Sequence, residues 1–276
     1  MDNRPIGIFD SGLGGLTAMA ELSRLLPKEH IIYLGDSFNM PYGEKTHEQI
    51  VEMARNDLHF VLEKNVKAVF VACGTITSNA LSLLKEESSV PVFGVIDAAA
   101  RVAAETTKNG KIGLLATTAS VNAGAFQKRI SQLAPKAEIV AGACPKFASM
   151  VEHGLFDKEH PAVRSAADEY LPPLKNAGVD TVILGCTHYP LLAEAISEYM
   201  GKEVKLISSG AAAAGELCAY LSENDLCAED FGAPAQYYTT GDRESFASIG
   251  KLMLGSPIND KLYAVEPFSF DKCGEI

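Results

Sequence analysis

Positive charge is what this sequence is short of. Its 276 residues carry 24 Lys and Arg against 35 Asp and Glu, a formal net charge of −11. A protein that grips nucleic acid through the phosphate backbone needs a basic face to release counterions, so no nucleic-acid partner is expected. Long apolar runs are missing too. The opening Met1-Asp2-Asn3-Arg4-Pro5 leads into a short hydrophobic stretch that ends at Asp10. That is too short for a secretory signal or a span, and no membrane association is expected. There is no Cys-x-x-Cys pair, and the six cysteines suit free thiols in a reducing cytoplasm better than a disulfide scaffold. Low-complexity linkers and charge runs are absent as well. What remains is ordinary: 47% hydrophobic and 21% charged residues, enough for a sizeable core and too apolar for disorder. The expectation is a soluble, acidic, cytoplasmic protein long enough for two compact α/β units.

Short apolar runs at 6–9, 31–34, 68–71, 92–96, 112–115, 182–184 and 204–207 read as strands. They are too continuous to alternate in and out, as expected for parallel strands covered on both faces. Helical patterns lie between them, for example at 16–26, 46–64, 162–175 and 191–200, with Gly and Pro punctuating the joints. Alternating strand and helix signals predict parallel sheets flanked by helices. The chain also matches itself: Val66-Lys-Ala-Val-Phe-Val-Ala-Cys73 aligns without gaps against Val179-Asp-Thr-Val-Ile-Leu-Gly-Cys186, and Ile6-Gly7-Ile8-Phe9 echoes Ile112-Gly113-Leu114-Leu115. Any two buried strands share apolar letters, but not a closing cysteine. Two similar parallel-sheet α/β domains facing each other across a cleft are therefore expected.

In open α/β sheets ligands bind outside the carboxyl ends of the strands. After the first strand comes Asp10-Ser11-Gly12-Leu13-Gly14-Gly15-Leu16-Thr17, a glycine-rich turn into a helix. Such a turn offers backbone N–H groups to an anion, yet it lacks the Gly-Lys-Ser/Thr of a P-loop and reads by itself as a tight turn. The paired cysteines are the sharper signal. Each stands where a strand gives way to a loop, with Thr75 after Cys73 and with Thr187 and His188 after Cys186. Hydroxyls, backbone N–H groups and an imidazole can tune a thiolate and exchange its proton. If the halves face each other, two sulfurs approach one carbon from opposite sides, the geometry that inverts a stereocentre by removing and returning a proton. A zinc site would want about four ligands, of which Cys186-x-His188 is a fragment. A Cys–His nucleophile for acyl transfer stays open and leaves the second cysteine idle.

The motifs extend well beyond the cysteines. They comprise Phe9-Asp10-Ser11-Gly12-x-Gly14-Gly15-Leu16, then Gly35-Asp36 with Pro41-Tyr42-Gly43, then Ala72-Cys73-x-Thr75 and Gly94-Val95-Ile96. They continue with Ala116-Thr117, Cys144-Pro145-x-Phe147-x-x-x-Val151-Glu152 and Leu184-Gly185-Cys186-Thr187-His188-Tyr189-Pro190. Through them the chain resembles, over essentially its full length, the glutamate racemases of the cofactor-independent aspartate/glutamate racemase superfamily. The resemblance implies interconversion of L- and D-glutamate without pyridoxal phosphate or metal, with D-glutamate feeding peptidoglycan precursors, and assembly as a homodimer. It implies Cys73 and Cys186 as the acid/base thiols, Asp10 and His188 as their proton-handling partners, and Glu152 as an acidic assistant. Asp10, Ser11, Pro41, Tyr42, Gly43, Gly74, Thr75, Thr117, Ser120, Thr187 and His188 would hold the amino acid. The first domain would comprise 1–97 plus 208–276 and the second 98–207. The other cysteines, Cys144, Cys218, Cys227 and Cys273, are read as structural or incidental.

Plainer uses exist for several of these residues. Asp10 suits a cap on the glycine turn, His188 a hydrogen-bonded core histidine, Glu152 a solvated helix face, and Tyr42-Gly43 an ordinary turn. Departures from the family pattern also cluster at the cleft. Gly74 stands where Asn is usual, and the loss of a hydrogen bond to a charged group is worth roughly 1.5–3 kcal/mol. Ser37-Phe38-Asn39-Met40, Asp97-Ala98-Ala99, Ala119-Ser120 and Ser208-Ser209-Gly210-Ala211 differ as well. The acid/base set is intact while substrate-shaping positions change. The rival readings are therefore an isomerase of another acid such as aspartate, and a non-catalytic amino-acid binder.

Overall fold

The structure is a computed structural model that describes residues 1–229 and 233–268, so Cys273 lies outside the described residues. Ten strands form in the order β1 (Ile6–Asp10), β2 (Ile31–Gly35), β3 (Ala68–Val71), β4 (Val92–Gly94), β5 (Lys111–Ala116), β6 (Glu138–Ala143), β7 (Thr181–Leu184), β8 (Lys205–Ser208), β9 (Gln236–Thr239) and β10 (Leu262–Ala264). They make two wholly parallel sheets, ordered β10-β9-β2-β1-β3-β4 and β6-β5-β7-β8. The central strands β1, β2, β3 and β7 are buried along their whole length, which is why their sequences run apolar without alternation. Two parallel-sheet α/β units are thus present, as the alternating strand and helix signals require.

The strands of the first sheet lie within 6–94 and 236–264 and those of the second within 111–208. The helices Val95–Thr106 and Ser209–Glu223 run between them. Their alanines Ala98, Ala99, Ala103, Ala213 and Ala214 belong to one core cluster that takes in Ile8 and Phe70 from one sheet and Ile112 and Ile183 from the other. Small residues let backbones approach: a Cβ on Gly210 would sit 2.7 Å from that of Ala18. No helix among the described residues is long and apolar enough to cross a membrane.

Several expected boundaries move. Residues 92–96 are not one strand, because β4 stops at Gly94 and Val95 opens the Val95–Thr106 helix. Val95 and Ile96 are apolar because the first turn of that helix packs on the core. The pattern at 162–175 is two helices, Pro161–Tyr170 and Pro172–Ala177. Pro172 and Pro173 have no N–H to continue the ladder, and Pro172 instead starts the second helix. The 191–200 helix begins at Ala193, after a 3₁₀ turn over Tyr189–Leu192. The 46–64 helix spans His47–Leu62, with Thr46 and Gln49 forming a capping box. Strands β6, β9 and β10 have no counterpart in the apolar runs.

Candidate active site

Parallel pairing brings the carboxyl ends of neighbouring strands to one edge. Phe9 pairs with Val71 in the first sheet and Leu115 with Leu184 in the second. Asp10 and Ser11 therefore emerge beside Cys73, and Thr117 beside Cys186. The two strand-end clusters face each other around one cavity. Its lining takes Ser11, Pro41, Tyr42, Gly43, Cys73 and Thr75 from one side and Thr117, Glu152, Cys186, Thr187 and His188 from the other.

Cys73 caps the Gly74–Glu87 helix, so its sulfur lies at the positive end of the helix dipole. The Sγ is 3.5 Å from Ser11 Oγ. Burial foremost, with the nearby Asp10 charge, pushes this thiol up to about 12, against hydrogen bonding from Ser11 and the Ile76 N–H. Cys73 is accordingly held as a neutral thiol, able to give a proton. Cys186 has a different neighbour, with its Sγ 3.4 Å from His188 Nδ1. His188 Nε2 in turn lies 3.0 Å from Glu152 Oε1. That is an ion-pair separation off the line of a strong hydrogen bond, since Nε2 has no well-directed acceptor among the described residues. Burial opposes charge on this imidazole, but the Cys186 sulfur and the Glu152 carboxylate outweigh it and raise His188 well above its ordinary value. An imidazolium there stabilises negative charge on the adjacent sulfur. The two thiols thus have unlike neighbours.

Asp10 does not reach the cavity. It is fully buried, and its Oδ2 accepts from the Gly12 N–H at 3.1 Å while its Oδ1 accepts from Thr187 Oγ1 at 3.3 Å. Burial raises its pKa despite the opposing pull of His188 and the surrounding donors. The glycine turn it holds is a docking surface for the other half rather than an anion cradle. A Cβ on Gly14 would meet Thr187 Oγ1 at 2.4 Å and His188 Nδ1 at 2.6 Å. Thr17 Oγ1 also donates to the Thr187 carbonyl at 2.8 Å.

A second tie crosses the cavity mouth. Thr117 Oγ1 gives its one proton to Ser120 Oγ at 3.0 Å, so Thr75 is the donor in the 2.9 Å contact between Thr75 and Thr117. Ser120 is completely buried behind Thr117 and does not line the cavity. Gly74 does not line it either, and instead packs on the opposite thiol loop, where a Cβ would fall 2.2 Å from the Gly185 carbonyl oxygen. Glu152, indistinguishable in sequence from a solvated helix residue, faces His188 from the last turn of the Pro145–Glu152 helix. Sequence reasoning did not single out Glu44, Thr118 or Ala148, which also line the cavity. Glu44 directly follows Pro41-Tyr42-Gly43, the one signal available. Among the described residues the lining holds no Lys or Arg, so an anionic ligand there is met by hydroxyls, backbone N–H groups and the imidazole. No group of three or more His, Cys, Asp or Glu side chains among the described residues is placed to hold a metal ion.

A family profile described as Asp/Glu/Hydantoin racemase matches residues 7–217. The chain belongs to the Asp/Glu/hydantoin racemase family. Among curated members, the glutamate racemase of Lactococcus lactis subsp. cremoris is 44% identical over 255 residues, 92% of this chain and 93% of that protein. That of Corynebacterium diphtheriae is 41% identical over 261 residues, covering 94% and 97%. Among solved structures, a glutamate racemase from Bacillus anthracis superposes with a TM-score of 0.92 at 36% identity, over 98% of this chain and 100% of that one. A Francisella tularensis glutamate racemase in complex with D-glutamate gives 0.89 at 34% identity and the same coverage. The two-sheet architecture is thus that of the racemase family throughout.

Proposed function

We propose that this protein is a cofactor-independent racemase that interconverts L- and D-glutamate by proton transfer between two thiols. One observation carries the reading: Cys73 and Cys186, each just beyond a central strand of a different sheet, both line a single cavity. In one direction a thiolate removes the α-proton, leaving the electron pair of the broken C–H bond on the carbon and its carboxylate. The opposing thiol then delivers its own proton to the other face. After turnover the thiol and thiolate have exchanged roles, and the reverse reaction or proton exchange with water resets them. The difficulty is the weak acidity of the α-carbon. Preorganised donors around the carboxylate stabilise the developing charge, and the Ser11 hydroxyl and the 42–43 backbone N–H groups suit that task, while the Thr75, Thr117 and Thr187 hydroxyls spend their protons holding the walls together. Closure of the cavity strengthens those contacts.

The remaining assignments follow the same reading. Asp10 orders the first thiol's loop, His188 and Glu152 serve the second thiol, Ser120 orients Thr117, Pro41 shapes the wall, and Gly74 lets the two thiol loops close on each other. The domains divide at 1–97 plus 208–276 and 98–207. The enzyme works in the cytoplasm as a homodimer and supplies D-glutamate for peptidoglycan. The decisive experiment is α-proton exchange followed by NMR in D₂O without added cofactor, on both enantiomers of glutamate and of aspartate. Deuterium entry with inversion on glutamate supports the reading. Exchange on aspartate alone moves the substrate, and silence on all four acids refutes the proposal.

A further inference from the structure

Residue 57 sits on the buried stripe of the His47–Leu62 helix. Ile50, Met53, Ala54, Leu58 and Val61 recur at the spacing that turns one helical face inward, and Asp57 occupies a position in that series. The stripe packs into a core containing Phe9, Leu34, Val69 and Val71. A carboxylate taken out of water without compensation is costly there. Asp57 is nevertheless fully buried, and its Oδ1 has no hydrogen-bond partner among the described residues. Its Oδ2 lies 3.2 Å from Tyr42 Oη.

Tyr42 Oη also lies 2.5 Å from Asp36 Oδ2. Asp36, itself completely buried, accepts from Asn39 Nδ2 at 2.8 Å and from Thr240 Oγ1 at 2.5 Å. A phenol has one proton, and the short contact to Asp36 claims it. Nothing then fills the 3.2 Å gap to Asp57 unless Asp57 brings a proton of its own. The titratable groups that face Asp57 are Asp36 after β2, Asp10 at the end of β1, Tyr42 and Tyr33. All are acids and none brings a positive charge; only the Tyr42 contact works against the shift, and burial with the two carboxylates outweighs it. Burial first, then the Asp36 and Asp10 charges, push the Asp57 carboxyl well above the ordinary carboxylate range.

We propose that Asp57 is a positioning residue: a neutral carboxylic acid that donates from Oδ2 to Tyr42 Oη and completes a chain, Asp57 to Tyr42 to Asp36, holding the 41–43 wall of the thiol cavity. Asp57 does not line that cavity and acts through Tyr42, which does. The effect on turnover rests on the racemase reading; the protonation state does not.

The test uses Asp57→Asn and Asp57→Leu in the full-length protein. Asn keeps an N–H donor for Tyr42 and cannot ionise, whereas Leu suits the apolar face and removes the donor. Asp57→Asn should keep kcat and KM within about threefold, while Asp57→Leu should raise the KM for glutamate about tenfold, the worth of one net hydrogen bond. A second readout needs no substrate. The folded protein holds a proton on Asp57 that the unfolded chain releases above about pH 3.9, so this residue costs more stability as pH climbs from there toward its raised folded value. Both variants should therefore gain Tm over the parent, by a margin that widens as pH climbs from about 4 toward the raised folded value. Infrared difference spectra at neutral pH should show a protonated-carboxyl C=O band in the parent that Asp57→Asn lacks. A flat Tm margin, no such band, or equal losses in the two variants each overturn the proposal. A parent protein without racemase activity refutes the functional reading alone, because the melting and infrared results still decide the state of Asp57.

Discussion

Substitution of Gly74 by Ala pits helix propensity against closure of the cleft. Gly74 is the first residue of the Gly74–Glu87 helix, where Ala ordinarily adds about 0.5–1 kcal/mol of stability. Here the new Cβ would lie 2.2 Å from the Gly185 carbonyl oxygen, and ordinary contact begins at 3.4 Å. The obstacle is backbone, so no rotamer change relieves it, and the two thiol loops must part by more than 1 Å. A displacement of about 1 Å in a reacting constellation costs on the order of a hundredfold in rate. Gly74→Ala is therefore expected to lose about two orders of magnitude in kcat/KM in both directions, with Tm little changed because the two contributions oppose. Steady-state racemisation from each enantiomer, beside a thermal melt, measures both quantities. Gly74→Asn meets the same barrier at its Cβ and adds an amide. If either variant matched the parent's kcat/KM within about threefold, the closure argument would fail, and the Asn common in the family would have to be accommodated by another route.

Four further outcomes are expected. Cys73→Ala and Cys186→Ala should each abolish inversion while retaining amino-acid binding, and each should still exchange the α-proton of one enantiomer, a different one in the two variants; continued racemisation by either sinks the two-thiol scheme. Glu152→Gln removes the carboxylate 3.0 Å from His188 Nε2, so the His188 imidazole resonance should titrate at lower pH than in the parent. His188 binds its proton more tightly folded than unfolded, so its contribution to stability is complete below about pH 6.5 and fades as pH rises through the raised folded value. His188→Gln should erase that part of the pH–stability profile in urea melts. Tyr189→Phe removes the buried 2.8 Å hydrogen bond to the Cys144 carbonyl and should cost about 1–3 kcal/mol in the same assay.

Much of this molecule is written plainly in its sequence, for physical reasons that also explain the gaps. The central strands are buried on both faces and so spell out unbroken apolar runs. Strand β6 sits at the edge of its sheet, half exposed and built partly from Ala and Gly, and leaves no such run. The break before Pro172 was visible in the letters, since a proline pair cannot continue a helix. The thiol pair was legible because two strands of different sheets close on cysteine. Glu152 was not legible from its own letters, because facing His188 is a property of how the second half folds, and Gly14 is hemmed in by Thr187 and His188, which arrive from that half. Asp57 could have been found by periodicity alone, as an acid on an otherwise apolar stripe.

The sheet order has a consequence for synthesis. Strand β2 gains its outer neighbour β9 only when residues 236–239 arrive, although the strands on its other side come from the first 94 residues. A chain leaving the ribosome therefore carries the β2 edge unpaired while the entire second sheet is made, and unpaired edges are sites of aggregation. The second sheet, contiguous from 111 to 208, can form before the first is finished. The half that begins first is the last to be completed, and the cell must shelter that edge until the tail returns to cover it.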